Sequence, residues 1–141
     1  MVYVEKIMEK KQVYLQKEYL KDRLPENQIE EIAEAVKYHS EKDNLEKYSF
    51  DTIILSVADK TDVSKARVTE EYKDKDILFN YIENVDFEIN ENSCDLIFNT
   101  NKPITKEFFF NEKKYSEKII NIMSEFARRL NKKLNIFIND M

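Results

Sequence analysis

The chain holds one histidine, His39, and one cysteine, Cys94, among 141 residues, and this limits its chemistry before any fold is considered. One thiol cannot close a disulfide within the chain, and one thiol with one imidazole cannot build a thiolate zinc site. A serine or cysteine nucleophile would have only His39 as its base. The sequence contains no glycine, so the Gly-x-Ser-x-Gly elbow of hydrolases is absent, together with the glycine loops that cradle dinucleotides and phosphates. Its 28 acids leave paired-carboxylate chemistry open, but no spacing distinguishes one pair. What stands out is His39, which continues an apolar stripe, and the run Ala58-Asp59-Lys60-Thr61-Asp62, with Lys65 and Arg67 soon after.

The elements that carry these residues are read from periodicity. Val4, Met8, Leu15 and Tyr19, with Ile7 and Tyr14 beside them, give a 3.6-residue stripe and predict a first helix over 2–20. Lys11 and Gln12 interrupt that stripe, so its burial is expected to need something besides the rest of the chain. Pro25 ends this helix and opens a second over 25–40, whose core face is Ile29, Ile32, Ala33 and Val36, with His39 at its end. A third helix over 50–60 has Phe50, Ile53, Ile54, Val57 and Ala58 as its apolar face and Asp59 near its C-terminus, where an acid opposes the helix dipole. Thr61 or Asp62 is expected to cap a fourth helix over 63–72, and a short fifth is expected over 76–82.

The period then changes. Val85, Phe87 and Ile89 alternate with polar residues, 90–93 supplies a turn without glycine, and 94–98 is a second apolar run, together predicting a hairpin. A weaker third strand is expected at 107–110, where Phe108 to Phe110 read as sheet edge and core. They do not read as a base-stacking platform, since no basic groove accompanies them. Ile119, Ile122, Met123, Phe126, Ala127 and Leu130 predict a helix over 115–130. Leu134, Ile136 and Ile138 then predict a last strand that returns to the sheet and extends the antiparallel hairpin, with Cys94 a reduced strand residue. The expected class is α+β: a helical segment over 1–82, then a β-β-(β)-α-β unit over 83–141 packed on it.

A net charge of −5 is shared between the halves, so neither reads as a nucleic-acid footprint. No apolar run approaches the roughly 20 residues that span a bilayer, and the first residues lack a signal peptide's apolar core. A cytoplasmic protein with neither nucleic-acid nor membrane partners is expected.

The stretch KEYLKDRLPENQIEEIAEAVKYHS, followed by IILSVADKTDVSKARV, resembles the later helices of the HD-domain superfamily of metal-dependent phosphohydrolases. In that family a helix ending in histidine precedes one whose C-terminal aspartate, in an A-D-K-like setting, is the last metal ligand. The resemblance covers residues 17–68 and implies Asp59, with His39, as metal ligands, and Lys60, Lys65 and Arg67 as residues near a phosphate. It also implies a weakly held divalent ion, manganese, magnesium or iron. The family's leading histidine and its His-Asp pair have no counterpart, because this chain has no second histidine.

The residues also carry simpler readings. His39 suits a core-edge histidine bonded to a backbone carbonyl, Asp59 a cap or an ion pair with Lys60, Lys65 or Arg67, and Asp62 a cap. Two functions follow from the sequence. One is a truncated or degenerate phosphohydrolase with a partial metal site and weak or no hydrolysis of phosphate esters alone. The alternative is a non-catalytic oligomerisation or protein-interaction module, most simply a homodimer or a chain whose partner covers the first helix.

Overall fold

The chain has no glycine, and among the described residues its backbone turns left-handed at asparagines: Asn44, Asn131 and Asn139 have φ of 53°, 56° and 58°. The computed structural model describes residues 2–139, with side chains from Lys11 onward. The sequence-predicted stripe positions Val4, Ile7 and Met8 fall outside the described side chains. Helices come first and a small mixed sheet follows, an α+β fold. The chain divides into two compact units, 1–56 and 57–141, so the division falls inside the third helix, whereas the strands begin at Ile82.

The first unit holds α1 (Val2–Leu20), α2 (Glu26–Tyr38) and the start of α3 (Phe50–Thr61). Val13 and Lys17 of α1 face Ala33 and Tyr38 of α2 across a groove, and Lys17 pairs with Glu30 at 2.9 Å. At about 100° per residue, Tyr14, Leu15 and Tyr19 point away from the side that carries Val13 and Leu20. They are 62%, 55% and 64% exposed, so this part of the stripe is left uncovered by the described residues, in keeping with the expectation that its burial needs something besides the chain.

On α2, Ile29, Ala33 and Ala35 are buried, while Ile32 is 37% exposed. α3 is rotated from its predicted face. Ile53 and Val57 are buried as expected, but Thr52 and Ser56 are buried beside them, while Phe50, Ile54 and Ala58 are exposed. Local hydrogen bonds set this rotation. Ser49 accepts from the Thr52 N–H at 3.2 Å and its Oγ lies 2.9 Å from Thr52 Oγ1, which caps the helix. The hydroxyl of Ser56 bonds to the carbonyl oxygens of Thr52 and His39.

The second unit is a three-stranded sheet, β1 (Ile82–Ile89), β2 (Ser93–Thr100) and β3 (Lys133–Ile138), in the order β1-β2-β3. β1 and β2 form the expected antiparallel hairpin, with Phe87 opposite Leu96 and Ile89 opposite Cys94. β3 extends the hairpin, as expected, and pairs with β2 in parallel, so the sheet is mixed. The connection between them is long enough to carry the chain back to its starting end, which is what a parallel neighbour requires. Within that register Leu134, Ile136 and Ile138 stand opposite Cys94, Leu96 and Phe98, so the predicted face of the last strand is the core face.

That connection contains α4 (Lys106–Asn111) and α5 (Lys113–Arg129). α4 replaces the strand predicted at 107–110. Thr105 caps it by accepting from the Phe108 N–H at 3.1 Å, and Phe109 packs fully buried at 4.8 Å from Phe98. A local cap and a tertiary contact outweigh the strand preference of three phenylalanines. α5 buries Ile119, Ile122, Met123, Phe126 and Ala127, the stripe predicted for it. It ends in a Schellman motif: Asn131 takes the left-handed position, its N–H bonds the Arg128 carbonyl at 3.0 Å, and the Lys132 N–H reaches back to the Ala127 carbonyl at 2.9 Å.

The helices predicted at 63–72 and 76–82 are instead single 3-10 turns at Lys65–Arg67, Glu70–Tyr72 and Leu78–Asn80. No continuous apolar stripe runs through 63–80, and isolated turns this short do not propagate as α-helix. Among the described residues no helix is long and apolar enough to cross a membrane.

Candidate functional site

His39 closes α2 in the first unit, and its Nδ1 donates to the Val36 carbonyl at 2.6 Å. This is the core-edge geometry that the sequence allowed. It also fixes the tautomer, because a carbonyl can only accept and Nδ1 must therefore carry the proton. Asp59 lies in the second unit, on the last turn of α3, and its Oδ2 is 2.9 Å from Lys60 Nζ.

The three basic residues go to different partners. Lys60 holds Asp59, Lys65 pairs with Glu83 on β1, and Arg67 pairs with Asp62. Asp62 is thus an ion-pair partner and caps no α-helix. Thr61, the other expected cap, donates back to the Val57 carbonyl at 3.0 Å.

Among the described residues no group of three or more His, Cys, Asp or Glu side chains could hold a metal ion. One imidazole and one carboxylate fall short of the donor sets that keep a resident divalent cation. Cys94 is fully buried, and burial pushes its thiol pKa upward, which keeps it protonated.

Lys60 and Arg67 share a hollow of about 460 Å³ within the second unit. Its apolar wall is Val63, Val68, Ile77 and Phe79, closed by the ring of Tyr115 from α5. Tyr115 is held from two sides. Its ring meets Phe79 edge-on at 5.2 Å, and its hydroxyl donates to the Lys60 backbone carbonyl at 2.9 Å. Burial raises its pKa far enough to keep the phenol a donor.

One turn along α5 lies Lys118. Burial, then the Lys60 ammonium, push its pKa downward, and Asp59 opposes them only in part. Lys118 was not singled out from the sequence, although Lys114 and Lys118 lie four apart beside Tyr115, a basic stripe on one helical edge.

No protein-family model matches this sequence, and neither a curated protein nor a solved structure matches the chain. The functional reading therefore rests on the residues and their geometry.

Proposed function

We propose that the chain is a non-catalytic interaction module whose first unit pairs with a second copy of itself through the outer face of α1. One observation carries this: α1 is apolar on two opposite sides, and only one of them is used. Val13 meets α2, while Tyr14, Leu15 and Tyr19 remain more than half exposed. A helix apolar on both sides belongs between two layers.

The patch has the composition of a binding centre. Arg23 stacks over the Tyr19 ring at 4.1 Å and donates to the Tyr19 carbonyl at 2.7 Å. Tyrosine and arginine dominate interface hot spots, and a tyrosine already held in place loses little freedom on binding. The three side chains present on the order of 300–400 Å² of surface, roughly half of what each partner gives to a stable interface of standard size.

Charges beside the patch are of both signs, with Lys21 paired to Glu18 at 3.1 Å. Such a surface can face its own copy in a two-fold contact without like-charge repulsion, which a patch of one sign could not do.

Sedimentation velocity over a series of micromolar concentrations tests the reading. The wild-type chain sediments as a dimer, and Leu15→Glu, which places a carboxylate in the patch and disturbs no buried residue, sediments as a monomer with unchanged helix content. A wild-type chain that stays monomeric throughout the series overturns the proposal.

A further inference from the structure

β3 is an edge strand, and its outer side is open. The Lys133 N–H donates to the Asn92 carbonyl at 3.1 Å, and the Asn139 N–H to the Phe98 carbonyl at 2.9 Å. In a parallel ladder the residues that bond one neighbour alternate with those that face away from it. Lys133, Asn135 and Phe137 therefore turn their peptide groups to β2, while Leu134 and Ile136 turn theirs outward. Neither the N–H nor the carbonyl of Leu134 or Ile136 is bonded among the described residues.

Sheets ordinarily protect such an edge with charges, bulges or a covering segment. β1, the other edge, has all three: Glu83, Asp86 and Glu88, an irregular register between Ile82 and Asn84, and the turn at Lys65–Arg67, whose Lys65 pairs with Glu83. β3 has no proline, no bulge and no charge after Lys133. Beside it lies a groove of about 570 Å³ between Ser124, Ala127 and Arg128 of α5 and Asn131, Lys132, Lys133 and Leu134. Arg128 is engaged by Glu125, and Lys132 donates to the Asn90 carbonyl, a neutral acceptor. Lys133 is exposed and in no ion pair among the described residues.

We infer that the β3 edge takes an extended peptide of a partner protein as a fourth, antiparallel strand, one with apolar side chains at alternate positions and an acidic residue at its carboxyl end. In that direction two peptide residues, spaced two apart, exchange both of their hydrogen bonds with Leu134 and Ile136. Their side chains then lie on the sheet face that carries Leu134 and Ile136, the face toward α5. The same direction brings the peptide's carboxyl end to Lys133 at the start of β3, where an acid directly opposite makes a cross-strand pair of unlike charge. A second copy would supply no such acid, because its own β3 is uncharged after Lys133. The site lies within the second unit and does not depend on the pairing of the first.

The test uses the full chain, isotope-labelled, titrated with an acetylated hexapeptide amide that alternates valine and threonine and ends in aspartate. Amide shifts should centre on Leu134 and Ile136, and exchange of those two amide hydrogens with solvent should slow about tenfold at saturation. Methylating the peptide at its valine nitrogens, which donate to β3, should weaken binding about thirtyfold, two hydrogen bonds at about fivefold each. Methylation at the threonine nitrogens, which face away, should leave binding unchanged. Lysine in place of the aspartate should weaken binding about fivefold, and Lys133→Glu, at an exposed position, should reverse that preference. Equal binding of the two methylated peptides, shifts centred away from β3, or no preference between aspartate and lysine would each overturn the inference. So would shifts at Leu134 and Ile136 that follow chain concentration without peptide, since a second copy would then occupy the edge.

Discussion

The hydroxyl of Ser56 lies 2.8 Å from the backbone carbonyl of His39, seventeen residues before it in the chain, and ties α3 to the end of α2. The same hydroxyl is 2.8 Å from the Thr52 carbonyl one turn back, so a single proton serves two acceptors. Ser56 is 1% exposed, and a smaller apolar side chain would leave the His39 carbonyl without this donor. Ser56→Ala should therefore destabilise the chain by about 1–2 kcal/mol. The midpoint of urea unfolding measures this, and an unchanged midpoint would show that the bond contributes nothing net.

Asn131 is the left-handed residue of the Schellman motif that ends α5. A Cβ without a polar side chain is strained there, and glycine is not. Asn131→Ala should lower stability by about 1 kcal/mol, and Asn131→Gly should be neutral or stabilising. Thermal melts of the two variants decide the matter by their order; alanine melting above glycine would contradict the account.

Glu125 is bonded by Arg128 at 2.6 Å and Arg129 at 2.8 Å, and its side chain is only 11% exposed. Hydrogen bonds from Arg128, followed by those from Arg129, hold its pKa at about 2 against the opposing effect of its own burial. A carboxyl depressed in the folded state adds stability above its ordinary range near 4.5, and that stability is lost as pH falls toward 2. Arg128 is largely exposed, so solvent screening holds the contribution to about 1 kcal/mol. Glu125→Gln should thus flatten the stability curve between pH 5 and pH 2, roughly the window between the two pKa values. Parallel curves for wild type and variant would remove Glu125 from the acid response.

Cys94 faces the core of the sheet, opposite Ile89 on one side and Leu134 on the other, with no exposure. Its thiol should react with an aromatic disulfide reagent only as fast as the second unit opens, and at the full rate in denaturant. Rapid labelling of the native chain would mean that this part of the sheet is far less protected than its packing implies.

The second unit was the more legible from sequence. The stripe from Ile119 to Ala127 is long, regular and buried and gave α5, and the alternation at Val85, Phe87 and Ile89 gave the hairpin although Ile89 is 56% exposed. Strand direction was not legible, because Leu134, Ile136 and Ile138 alternate identically whether β3 runs parallel or antiparallel to β2. In the first unit the stripes were found, but which side of α3 its own chain buries was not. Periodicity shows that a helix has an apolar side, not that this side faces its own chain: α1 turns Leu15 and Tyr19 outward, and α3 buries Thr52 and Ser56 in place of Phe50 and Ile54. Hydrogen bonds from Ser49 and Ser56 decide the second case, and no hydrophobicity pattern contains them. Of the residues singled out for chemistry, Lys60 and Arg67 line the hollow of the second unit. Phe79, Tyr115 and Lys118 were missed because they become neighbours only when α5 packs on the turns after α3.

That α1 presents its outer face to a second copy is tested most directly by paramagnetic relaxation between chains. Isotope-labelled chain is mixed with unlabelled chain carrying a nitroxide at Lys11→Cys in a Cys94→Ser background, so that any broadening must cross from one copy to another. The account predicts broadening centred on the amides of residues 11–23 and relieved by Leu15→Glu on the labelled chain. Broadening centred on the sheet, or none at concentrations where the chain sediments as a dimer, would contradict it.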